Sequence, residues 1–180
     1  SLLKELHQLS YCLSQTVHEA APAPAEAGAE LSDLGNGPTA ATMPRMTRLL
    51  LQGAGNIGVA IAHLFSTSGD YEVTVGDLTE SRLAEMPEGV NTRCVDVTDR
   101  SALRDSMRGL DVVVSACPFH LSLPIAEAAR DLSVHYFDLT EDVETARQVR
   151  QIAAGADSLF VPQCGLAPGF VSIAAYELVK

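Results

Sequence analysis

Six residues constrain this chain more than any others: Gly53-Ala54-Gly55-Asn56-Ile57-Gly58, set directly behind the apolar run Leu49–Gln52 and at the head of the amphipathic segment Ile57–Ser68. A glycine pattern means little alone, but between a strand and a helix it describes a turn built around a phosphate. Gly53 allows the tight turn. Gly55 lets backbone N–H groups approach a diphosphate with no Cβ in the way, and Gly58 lets the helix pack closely on the strand. The unpaired N–H groups and the dipole at the helix start then favour an anion. The alternative is a merely tight strand-to-helix turn, which three glycines at this spacing make the weaker reading.

From Arg48 onward, short β-branched runs alternate with helical-period segments, the signal of βαβ units and a parallel sheet. The runs are Leu49–Gln52, Tyr71–Gly76, Thr92–Val95, Asp111–Ala116, His135–Asp138 and Leu159–Pro162. The helices fall at Ile57–Ser68, Glu80–Met86, Ser101–Arg108, Leu123–Leu132 and Val143–Ala154, with a last one after Pro168-Gly169. Right-handed crossovers wind these into a doubly wound α/β sheet of the Rossmann type, with six strands in the order 3-2-1-4-5-6. Residues 46–180 are read as this dinucleotide-binding domain. Ahead of it, Leu2, Leu6, Leu9, Leu13 and Val17 form one stripe of a short amphipathic helix over residues 1–20. The Pro/Gly/Ala-rich residues 21–45 read as a flexible linker.

The composition narrows the partners. Twelve Lys plus Arg against twenty-three Asp plus Glu leave a formal charge of −11, which opposes binding to nucleic acid or an anionic membrane. The longest apolar stretches fall far short of the ~20 residues that a membrane helix requires. Cys12, Cys94, Cys117 and Cys164 are widely spaced, so neither a disulfide framework nor a zinc site is expected, and the thiols suit the cytoplasm. A homodimer is left open.

Asp77 ends the second strand nineteen residues after Gly58, where a carboxylate accepts both hydroxyl hydrogens of an adenosine ribose. That favours NAD over NADP, although Arg82 is close enough in sequence to fold back on a 2′-phosphate. Asp96 and Val97 follow the third strand where an adenine edge would be held, but Asp96 and Asp99 equally suit a turn and a helix cap. Ser115-Ala116-Cys117-Pro118-Phe119-His120 follows the fourth strand, beside the topological switch point. Ala116, Cys117 and Pro118 are read as cofactor contacts and His120 as a candidate proton carrier; the plainer alternatives are a surface histidine and a small buried thiol. Asp138-Leu139-Thr140 closes the fifth strand, and Cys164-Gly165-Leu166-Ala167-Pro168-Gly169 bends the chain tightly after the sixth.

Together with Tyr71–Asp77, Asp111–Pro118 and His135–Thr140, the glycine turn and above all Cys164–Gly169 resemble the cofactor half of the saccharopine dehydrogenase and lysine 6-dehydrogenase family. The resemblance covers about residues 46–180. It implies NAD(P)-dependent oxidation of a C–N bond in a small amino-acid substrate by hydride transfer, with a substrate domain inserted after the sixth strand. It also implies that Asp138 and the loop Cys117–His120 border the substrate, making Asp138 and His120 the candidate catalytic residues. Because the chain stops where that second domain would begin, the expectation is cofactor binding without turnover by this chain alone. A non-catalytic nucleotide-sensing module is the alternative from another class.

Overall fold

The computed structural model describes residues 45–179. The helix expected at residues 1–20, and the linker at 21–45 apart from Arg45, lie outside the described residues. Six strands form one parallel sheet: β1 (Thr47–Gln52), β2 (Tyr71–Asp77), β3 (Asn91–Cys94), β4 (Val112–Ser115), β5 (His135–Asp138) and β6 (Phe160–Val161). Their spatial order is β3-β2-β1-β4-β5-β6, the order that the alternating pattern predicts. Between them run α1 (Asn56–Ser68), α2 (Glu80–Leu83), α3 (Arg100–Met107), α4 (Ser122–Asp131) and α5 (Val143–Ala153), and α6 (Val171–Leu178) follows the sheet.

The central strands read as unbroken apolar runs because both of their faces are covered. Leu49, Leu51, Val73, Val75, Val112 and Val114 face α1 and α2, where they meet Ile61, Ala62, Phe65 and Leu83. Leu50, Val113 and Tyr136 face the other way, onto Leu103 and Met107 of α3, Ile125 and Ala129 of α4 and Val149 of α5. At roughly 1.5–3 kcal/mol for each fully buried Leu or Val, these two layers outweigh any single polar contact. Caps sharpen the boundaries: Asp99 accepts the Ser101 and Ala102 N–H groups at the start of α3, and Asp142 accepts that of Thr145 at the start of α5.

Several boundaries differ from expectation for local reasons. Helix α2 stops at Leu83 rather than Met86, because the next bonds tighten to Glu85 N–H to Arg82 O and Met86 N–H to Leu83 O and Pro87 cannot continue a helix. Strand β3 begins one residue early, and all four of its residues are exposed at the sheet edge. Strand β6 is only two residues long, since Pro162 has no N–H to extend the ladder. The last helix is preceded by a kinked turn, Leu166–Phe170, in which the Ala167–Pro168 peptide is cis.

Candidate dinucleotide site at the carboxyl edge of the sheet

The glycine turn is shaped by contacts that no side chain would survive. Gly53 has φ +107°, and a Cβ there would stand 2.9 Å from the Ala116 carbonyl oxygen; a Cβ on Gly58 would stand 1.9 Å from that of Gly53. Gly55 is different, since a Cβ on it would meet nothing within 4 Å. The turn is therefore closed on the protein side at Gly53 and Gly58 and open outward at Gly55. No side chain caps α1 and no acidic residue lies in its first turn. The Val59 N–H bonds the Gly55 carbonyl at 2.9 Å, so the helix ladder starts only there, with Asn56 and Ile57 exposed ahead of it. An anion placed over Gly55 meets N–H groups and a positive dipole end, with no carboxylate in the first turn of the helix itself. These residues fit a dinucleotide diphosphate.

Asp77, at the end of β2, accepts the Ala54 N–H through Oδ2 and the Thr79 N–H through Oδ1, both at 2.8 Å. Partial burial raises its pKa, but the hydrogen bonds from Ala54 and Thr79 and the nearby charge of Arg82 outweigh it and hold the carboxyl below the usual range. Asp77 thus ties the glycine turn to β2. It does not cap α2, whose start is marked by Thr79. Arg82 is exposed on α2 and close enough for its charge to act on Asp77. Leu78, next to Asp77, is 64% exposed, a large apolar side chain left uncovered at the carboxyl edge of the sheet.

Around the other side of the turn, Ala116 N–H bonds the Gln52 carbonyl at 2.8 Å, which brings the β4 loop against Gly53. Cys117 is half-buried against the α3–α5 layer, and burial, reinforced by the charge of Asp77, pushes its thiol up to about 11. It is a neutral wall rather than a nucleophile. Pro118 and His120 are exposed, with the Phe119 ring edge-on to the imidazole at 5.8 Å. Asp96 takes the Thr98 N–H and hydroxyl in a local turn, while the Val97 side chain is buried in the core. The expectation that Val97 meets an adenine edge therefore needs correcting for its side chain: only its backbone could do so.

Asp138 also departs from expectation. It is fully buried, and its carboxylate is already occupied: Oδ2 accepts the Tyr136 hydroxyl at 2.8 Å, and Oδ1 accepts the N–H groups of Thr140 at 3.0 Å and Gln163 at 2.9 Å. Fully buried and already accepting three hydrogen bonds, this carboxylate presents no exposed oxygen to a substrate. The sequence reading missed both Tyr136 and Gln163. Tyr136 was recoverable, since two residues apart on one strand means the same face. Gln163 was not, because its approach depends on the path after β6.

The geometry has counterparts. Residues 49–160 match the family model described as "Saccharopine dehydrogenase NADP binding domain". A saccharopine dehydrogenase (L-Glu forming) from Saccharomyces cerevisiae superposes with a TM-score of 0.67 at 24% identity, over 74% of this chain and 30% of that one. A scyllo-inositol dehydrogenase from Lactobacillus casei gives 0.58 at 19%, over 77% and 42%. A Rossmann-fold NAD(P)-binding family protein from Shigella flexneri gives 0.53 at 16%, over 66% and 67%. The structural likenesses carry the fold; the chain spans less than a third of the length of the yeast enzyme. The family match extends from β1 into β6 and takes in the glycine turn, Asp77 and the β4 loop, and by it this chain belongs to the NAD(P)-binding domain family of the saccharopine dehydrogenase-like oxidoreductases.

Proposed function

We propose that this domain holds NAD, in preference to NADP, for the oxidation of a C–N bond in a small amino acid. The observation that carries the reading is the uncapped start of α1 above Gly55, with the Asp77 carboxylate beside it on β2. Gly53–Gly58 would receive the diphosphate and Asp77 the ribose hydroxyls, with Leu78 against the base. When bound, the nicotinamide would accept a hydride from the carbon that carries nitrogen, leaving an imine for water to hydrolyse. Ala116, Cys117 and Pro118 supply a neutral wall beside the turn. Of the two candidate proton carriers, His120 has the exposed side chain. The amino-acid substrate is supported by family membership and by the name of the yeast relative. The wide spacing of Cys12, Cys94, Cys117 and Cys164 along the sequence supports a cytoplasmic setting.

The preference for NAD rests on Asp77, whose negative charge repels a 2′-phosphate, against the family description, which names NADP, and against the nearby cation of Arg82. Titration of the chain with NADH and with NADPH decides between them. Tighter binding of NADH supports Asp77, and equal or tighter binding of NADPH would mean that Arg82 governs the site.

A further inference from the structure

The diphosphate position at the end of β1 and the ribose carboxylate on β2 together give a bound dinucleotide its direction. Its adenosine half runs over β2, so its other nucleoside must extend over β4, β5 and β6. On that side the edge is formed by the segment 163–169, and Asp138 holds this segment from beneath. The Gln163 N–H points at Asp138 Oδ1, 2.9 Å away, from a residue at φ +66°, a conformation that L-residues adopt only when their surroundings enforce it. Thr140 N–H shares the same oxygen, which joins the turn after β5 to the turn after β6. The Cys164 N–H bonds the Asp138 carbonyl at 2.8 Å, and Gly165 lies so close to Leu139 that a Cβ would be 3.0 Å from its carbonyl oxygen. The bend then closes on itself through Phe170 N–H to Gly165 O at 3.1 Å.

We propose that Asp138 is a positioning residue, which sets the 163–169 bend as the wall against the nicotinamide end of the dinucleotide. The inference rests on the dinucleotide reading above. All three groups around the carboxylate are donors, and two of them are backbone N–H groups of the two turns that form the wall. Without the side chain, the backbone bond from Cys164 still pairs β5 with the start of the bend. That bond maintains the strand pairing, while the left-handed turn at Gln163 loses its reason and the wall loosens.

The test compares NADH with ADP-ribose, which carries the same adenosine diphosphate half without the nicotinamide, on the full chain. Asp138→Ala should leave ADP-ribose affinity within about twofold and weaken NADH by about tenfold, the scale of a lost hydrogen bond to a charged group. Asp138→Asn should recover most of that loss, since its amide oxygen can still accept the Gln163 and Thr140 N–H groups. Equal weakening of both ligands, or no change in either, would overturn the inference. Failure of the unaltered chain to bind either ligand would instead remove the dinucleotide reading on which it rests. Should Asp138→Ala not fold, amide exchange in the unaltered chain decides. NADH should slow exchange at Gln163 and Cys164 beyond the effect of ADP-ribose, and identical protection by the two ligands would overturn the assignment.

Discussion

Gly76 lacks a side chain where Gln52 requires the room: a Cβ on Gly76 would stand 1.7 Å from Gln52 Oε1. The two residues are register partners on β2 and β1, directly beneath the glycine turn. Gln52 is fully buried, and neither of its amide atoms has a partner among the described residues. The pair is a fit of volume rather than a hydrogen bond.

Gly76→Ala should therefore destabilise the chain by about 1–3 kcal/mol, the usual penalty for forcing extra volume into a packed site. In a Gln52→Ala background most of that penalty should vanish, because the clashing atom is gone. Urea unfolding of the two single variants and the double variant measures the coupling. Strict additivity would show that the two side-chain positions do not compete for space.

The glycines of the turn should separate stability from binding. Gly55→Val meets open space and should shift stability by no more than about 1 kcal/mol, yet remove most NADH binding because its side chain occupies the diphosphate position. Gly58→Ala runs into the Gly53 carbonyl, which is backbone and cannot rotate away, so it should lower the unfolding midpoint as well as the affinity. Calorimetric titration and thermal unfolding of both variants check the contrast; unchanged NADH affinity in Gly55→Val would refute the diphosphate placement.

Replacing Asp77 with Ser should move the cofactor preference toward NADP. The substitution removes the charge that opposes a 2′-phosphate and leaves Arg82 in reach. A change in the NADH-to-NADPH affinity ratio of about tenfold or more is expected, the worth of one charge-assisted contact. Parallel titrations of both cofactors provide the measurement, and a ratio that stays put would assign discrimination to other residues.

Acid should weaken the β6 edge through His135. Its Nδ1 accepts the Leu159 N–H at 3.0 Å, which demands an unprotonated nitrogen. Burial holds its pKa below the ordinary 6.5, against the opposing pull of Asp111. The unfolded chain binds the proton more readily, so this contribution is complete above the unfolded pKa and declines as pH falls below it toward the folded value. His135→Asn keeps an acceptor oxygen near the Nδ1 position and should flatten the dependence of stability on pH on the acid side of the ordinary histidine value of 6.5. Urea midpoints across that range for both proteins give the comparison, and an identical slope would clear His135 of the effect.

What the sequence by itself determined were the features carried by neighbours along the chain. Strand-to-helix alternation is a local period, so the six strands and their order were legible from the runs that begin at Leu49 and end at Pro162. The glycine turn was legible for the same reason, because Gly53, Gly55 and Gly58 act within one turn of backbone. Asp77 could be placed at the end of β2 by counting, although its bond to the Ala54 N–H could not. Tertiary structure alone decided which polar residues remain available for chemistry. Asp138 ends β5 and His120 follows β4 at the same edge, and the two looked alike as candidates. One is enclosed by donors from Tyr136, Thr140 and Gln163, and the other stands exposed. The fit of Gln52 to Gly76 was hidden for the same reason. Burial and hydrogen-bond saturation depend on groups that meet only after distant segments pack, and no periodicity in the chain encodes their distance.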